Sequence, residues 1–265
     1  MQETTLTLTE HLAELRSRAL KALAAVALGA VAGFALYDAG LLDLIRAPFD
    51  AVVGRTDNPY VGAFAFLNRL LPEKGTGAEM PLNLHFFSPI EVFMVKLKVS
   101  LLAGVILTSP AVFWQIWAFV AAGLTAREKR VVRMFLPVSL CLFAIGIALA
   151  WLLMLPVALH FLIVVTGEGL IGTINLSQYT GLVAASCLAF GLVFQLPLAL
   201  YALTRFGIVT PDFLARRRKY AILLMFVLAA LLTPQDVVSQ LLMALPMIAL
   251  YEIGIVVSRL ARRRA

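Results

Sequence analysis

The fold class that the sequence predicts is an all-α polytopic membrane protein, and three observations carry the prediction. Of 265 residues, 62% are hydrophobic and only 14% charged. Mean hydropathy is +0.94. The charges gather in short clusters between long apolar runs. A soluble chain of this length has no interior large enough for so much apolar surface. One integral membrane domain is therefore expected over residues 1–265.

The elements follow in order. Thr7-x-x-Glu10 has capping-box spacing, which predicts a helix from Leu8. On it Leu8, Leu12 and Leu15 share one face, and His11, Glu14 and Arg18 another. Residues 1–19 thus read as a small cytoplasmic helix at a membrane surface, and the run from Glu10 to Arg18 as a place for ligand recognition. The bland alternative is an interfacial helix held by a Glu14–Arg18 pair. A first span follows over about residues 20–37. Glu3, Glu10 and Glu14 balance Arg16, Arg18 and Lys21 ahead of it, whereas a secretory leader is net positive. The span is therefore expected to be retained.

A long outer loop covers residues 38–91. Its apolar stretch at 60–71 is too short to span and reads as interfacial, and residues 72–77 form a turn-rich break. Further spans are read at 92–112, 134–156, 179–203, 220–232 and 241–257, giving six in all, with a basic tail at 258–265. The last two are short. Thirteen residues reach about 20 Å against a hydrocarbon core of about 30 Å. Either Arg216–Lys219 snorkel or the bilayer thins there. Pro110, Pro137, Pro156, Pro197 and Pro246 are expected to kink or break spans, and kinked helices can enclose a concave surface.

The basic residues set the orientation. Of 22 lysines and arginines, 16 fall before span one, between spans two and three, between four and five, or after six. Both termini are therefore expected in the cytoplasm, N-in and C-in. The net charge of +7 speaks of orientation and anionic lipid; no aromatic-interleaved basic patch points to nucleic acid. Cys141 and Cys187 lie in apolar segments and read as buried free thiols.

Three sets of polar residues could carry function. Glu14 and Glu128, facing one site, would suit a paired guanidinium ligand through charge-assisted bidentate bonds. Thr125-x-x-Glu128 is also a capping box, so a structural role for Glu128 stays open. Gln195 precedes Pro197 inside span four. It either repairs its own helix, where the proline frees a carbonyl, or faces a groove and bonds a partner helix. Thr233, Asp236 and Gln240 form either a turn with a cap or a polar docking cluster for another helix. His85 and His160 stand apart from other ligand types, so no metal site is read, and no nucleotide loop or nucleophile–base order is present. No cofactor is expected.

Taken in order, several blocks resemble the TatC family, the multi-spanning core of the twin-arginine protein translocase. They are His11–Arg18, Ala47-Pro48-Phe49, Ser88-Pro89, the run from Gln115 to Leu124 leading to Glu128, Phe194–Pro197, and the run from Leu231 to Gln240 continuing through Pro246 to Tyr251–Gly254. The resemblance implies six spans in a cupped, concave arrangement with two short final spans and both ends cytoplasmic. It implies a receptor in the cytoplasmic (inner) membrane that binds Arg-Arg signal peptides of folded proteins. It further implies recruitment of single-span TatB- and TatA-type partners into an oligomeric assembly, with export driven by the protonmotive force. Glu14 and Glu128 match the acids that bind the arginine pair; Arg16, Pro48 and Phe119 match positions tied to that site, with Leu12 alongside. Thr233 and Gln240 match the partner-docking cluster, and Asp236 lies between them. Glutamate is common in the family at Gln195 and proline at Ala122, and the outer loop over 55–83 is long for a relative. Two rival classes are weaker. A secondary transporter, with Gln195 and Asp236 on a solute path, would need more midplane polar groups and an internal repeat. An intramembrane enzyme would need a nucleophile and base at membrane depth.

Overall fold

A computed structural model describes residues 8–66, 83–122, 126–165, 173–232 and 237–263. Helix α1 runs Leu8–Leu36, α2 Leu41–Val53, α3 Pro89–Ala122 and α4 Ala126–Leu149. After them come α5 Leu176–Val193, α6 Leu196–Arg205, α7 Pro211–Arg216, α8 Arg218–Leu232 and α9 Val237–Arg263. Two-residue strands β1 (Leu84–His85) and β2 (Ile174–Asn175) pair in parallel, Leu84 opposite Ile174. Among the described residues, four helical stretches are long and apolar enough to cross a membrane: Leu12–Ala39, Met134–Ile163, Leu176–Arg205 and Val237–Leu260.

Several boundaries differ from the expected ones for one reason: a helix is propagated by backbone bonds and does not stop where side chains turn polar. The N-terminal helix and the first span are one uninterrupted helix, α1. The last helix is 27 residues long, not the expected short span, because it extends through Val237–Gln240 and beyond Ser258. Shortness belongs to α8 alone, with 15 residues. Helix continues past Pro156 through π-type turns at Ala150–Met154 and Phe161–Val165. In the first of these the Leu155 N–H donates to the Ala150 carbonyl five residues back, which absorbs the proline's missing donor. Only Pro197 stands at a break, between α5 and α6. Cys187 is buried but Cys141 is exposed. An apolar side chain on a membrane helix is as well placed against lipid as against protein.

The chain divides into two compact units, residues 1–39 with 96–141, and residues 40–95 with 142–265. In the first unit α1 and α3 approach at backbone distance. A Cβ on Gly29 would sit 2.6 Å from Thr108 Cγ2 and 2.7 Å from the Gly104 carbonyl. Gly29-x-x-x-Gly33 is thus a small-residue stripe that admits the facing helix. Lys96 bonds Asp38 at 2.9 Å, and its ammonium lies over the Phe34 and Tyr37 rings. Trp117 Nε1 donates to Ser139 Oγ at 2.7 Å.

In the second unit the buried core includes Phe49, Tyr179, Val183 and Phe190 on one side of the sequence and Met243, Met247 and Ile255 on α9. Gly254 admits Leu200 of α6, and the Tyr251 hydroxyl donates to the Leu214 carbonyl at 3.0 Å, fixing α7 to α9.

Candidate functional site

Glu14 stands half-exposed on α1. Arg18, one turn later, donates to it from Nε at 2.9 Å and from Nη2 at 2.6 Å. Both bonds end on Oε1. Among the described residues nothing donates to Oε2, so the carboxylate keeps acceptor capacity. Leu12 is 64% exposed and Arg16 is exposed nearby on the same helix. Phe119 is half-buried near the end of α3. Glu128 falls within α4, and its side chain lies outside the described residues.

Pro48 is fully buried in the second unit, inside α2. A proline at this position withholds the N–H that the Leu44 carbonyl would receive, and its ring crowds that same carbonyl. Two side chains donate to carbonyls of this turn. Trp151 Nε1 donates to the Leu44 carbonyl at 3.0 Å, and the Tyr179 hydroxyl to the Ile45 carbonyl at 2.7 Å. Pro48 therefore frees the Leu44 acceptor, and the two bonds together fasten α2 to the π turn after α4 and to α5. Below it Asp50, 3% exposed, accepts from Asn58 Nδ2 at 2.8 Å and has Arg55 Nη1 at 3.9 Å.

Gln195 lies at the break between α5 and α6. Its backbone N–H has moved to the Leu192 carbonyl at 3.0 Å, and its side-chain amide approaches the Gly191 carbonyl at 3.5 Å. The side chain takes the acceptor that its own backbone gives up. Pro197 is buried at the start of α6. Gln240 Nε2 donates to the Phe226 carbonyl at 3.1 Å, tying α9 to α8. Thr233 and Asp236 lie outside the described residues.

Sequence reading missed Glu91. Its carboxylate accepts the Phe87 N–H at 2.9 Å at the head of α3 and the Ser177 N–H at 3.2 Å at the head of α5. The Phe87 bond, first among several, holds its carboxyl below the ordinary glutamate range against the opposing effect of burial. The signal was available: Ser88-Pro89-Ile90-Glu91 has capping-box spacing with proline at the first helical position. Trp151 and Tyr179 had no such signal, since only the fold brings them to α2.

Apolar helices of bilayer length define a multi-pass membrane protein. The family model for the Sec-independent protein translocase protein (TatC) matches residues 10–246. TatC of Carboxydothermus hydrogenoformans is 35% identical, covering 98% of this chain and 95% of the relative. TatCy of Bacillus subtilis is 33% identical, covering 100% and 93%. A crystal structure of the twin-arginine translocase receptor TatC superposes with a TM-score of 0.76 at 32% identity, covering 96% of this chain and all of that one. The chain belongs to the TatC family. It is a subunit of the twin-arginine translocation system, which is a protein translocase and not an enzyme family, and it works with other components of that system.

Proposed function

We propose that this subunit is the signal-recognising receptor of its translocase. It has six spans in a cupped arrangement in the cytoplasmic membrane, with both termini in the cytoplasm. Helices α3 and α8 supply the second and fifth spans beside the four long apolar stretches. The Arg-Arg motif of a folded protein's signal peptide meets Glu14 and Glu128 at the cytoplasmic rim, with Leu12, Arg16 and Phe119 around them. The signal's apolar stretch then runs toward Gln195 and Pro197. Pro48 keeps the outer segment in place. Thr233, Asp236 and Gln240 dock a TatB- or TatA-type helix, and the protonmotive force drives transport.

The open Oε2 of Glu14 carries this reading. A carboxylate with one oxygen occupied by Arg18 still offers the other to an incoming guanidinium. Such a charged hydrogen bond is worth about 1.5–3 kcal/mol. Binding of a labelled Arg-Arg signal peptide to the protein in nanodiscs tests it. Weaker binding of a Lys-Lys peptide, and of the Arg-Arg peptide to Glu14→Gln and Glu128→Gln, is expected. Equal binding throughout would leave both acids as structural groups and move recognition elsewhere.

A further inference from the structure

The corner between α7 and α8 carries four consecutive cations, Arg216, Arg217, Arg218 and Lys219. One of them is matched: Arg218 Nη2 bonds Glu252 Oε2 on α9 at 2.8 Å. The others have no carboxylate among the described residues. Arg217 lies over two rings, 5.6 Å from the Phe213 centroid and 5.5 Å from that of Tyr220, and Lys219 lies 5.1 Å from the Tyr220 centroid. These contacts align the cations without neutralising them. All three are exposed, and Phe213 and Tyr220 are each 52% exposed beside them.

The corner itself is well built. Thr210 caps α7 by accepting the Phe213 N–H, and the Tyr251 hydroxyl bonds the Leu214 carbonyl between the aromatic and the cations. Beyond Tyr220, α8 exposes Leu223, Leu224, Val227 and Leu231, an apolar face suited to acyl chains. Positive charge, then amphipathic rings, then apolar surface is the sequence of layers met on passing from headgroups into hydrocarbon. A free phosphate would satisfy the first layer alone. An acidic protein would leave the third in contact with whatever it displaced.

We propose that this corner is a binding site for an anionic phospholipid, its phosphate held by Arg216, Arg217 and Lys219 and its glycerol and upper chains against Phe213 and Tyr220. The site is independent of the residues assigned to signal recognition.

Native mass spectrometry of the full chain in detergent, exposed to equimolar phosphatidylglycerol and phosphatidylcholine, tests it. The protein is expected to retain the anionic lipid by about 100-fold over the zwitterionic one. The combined Arg216→Gln, Arg217→Gln and Lys219→Gln variant is expected to approach parity, since each basic residue near a headgroup layer contributes on the order of fivefold. Arg216→Lys with Arg217→Lys keeps the charge and is expected to keep most of the preference. Glycerol phosphate, which lacks chains, is expected not to be retained. If the triple variant does not stay monodisperse, Arg216→Gln and Lys219→Gln are read singly, each with a partial loss. Parity in the unaltered protein, an unchanged preference in the variants, or equal retention of glycerol phosphate overturns the proposal.

Discussion

Glu91 shows how much one half-exposed carboxylate can organise. It receives N–H groups at the heads of α3 and α5, two helices whose first turns are separated by more than 80 residues of sequence. Its carboxyl is held below the ordinary glutamate value of 4.5 in the fold. A depressed folded value stabilises the protein above the unfolded value, and that contribution is lost as pH falls through the folded one. Glu91→Gln is therefore expected to lower the thermal midpoint at neutral pH. The gap between variant and parent should close as pH drops below about 4.5, which a pH series of melting curves in detergent would show. Pro48 acts through its neighbours instead. Tyr179→Phe leaves the Ile45 carbonyl buried without its donor, at a cost of about 1–3 kcal/mol. Trp151→Phe removes the more exposed bond to Leu44 and is expected to cost about 0.5–1.5 kcal/mol. Unfolding by titration with dodecyl sulfate would rank the two.

Among elements, the contact of α1 with α3 rests on missing side chains. A Cβ on Gly29 or Gly104 would enter the backbone of the facing helix. Lipid tails are as apolar as leucine, so close backbone packing, not a hydrophobic drive, holds such helices together. Gly29→Val is expected to destabilise the first unit by about 1–3 kcal/mol in the same titration. Gly62→Ala, which meets open space, is expected to leave the midpoint unmoved. Helix α8 differs from its neighbours in length. Its 15 residues reach about 22 Å, so Arg216–Lys219 begin well inside the depth a full-length span would reach. On the lipid-site proposal, headgroups would come to the basic corner at that depth.

At the scale of the whole molecule, the recognition proposed for Glu14 has a built-in competitor. Arg18 already occupies Oε1 from the same helix. Arg18→Gln is expected to leave binding of an Arg-Arg signal peptide intact or tighter, because it frees the second oxygen. Glu14→Gln is expected to weaken it by about 10-fold or more, the equivalent of one charged hydrogen bond. Raising salt should weaken the parent more than the Glu14→Gln variant, since an exposed ion pair is screened. Peptide titrations at two ionic strengths would separate these outcomes.

Class, helix content and family were legible in the chain. Apolar run length and the clustering of charge follow from local chemistry that the bilayer enforces on any sequence, and the ordered blocks around Glu14, Gln195 and Gln240 carry the resemblance to the family. The capping spacing at Ser88–Glu91 and the stripe Gly29-x-x-x-Gly33 were also written there. What the sequence by itself did not determine was where helices end and which distant groups meet. Hydropathy marks the apolar part of a helix, but backbone bonding carried α9 to 27 residues and carried helix past Pro156. The partners of the Leu44 and Ile45 carbonyls come from residues more than 100 positions away, and the partner of Arg218 from another helix. Such pairings have no local signature, because a buried acceptor requires only some donor and packing alone selects which one arrives.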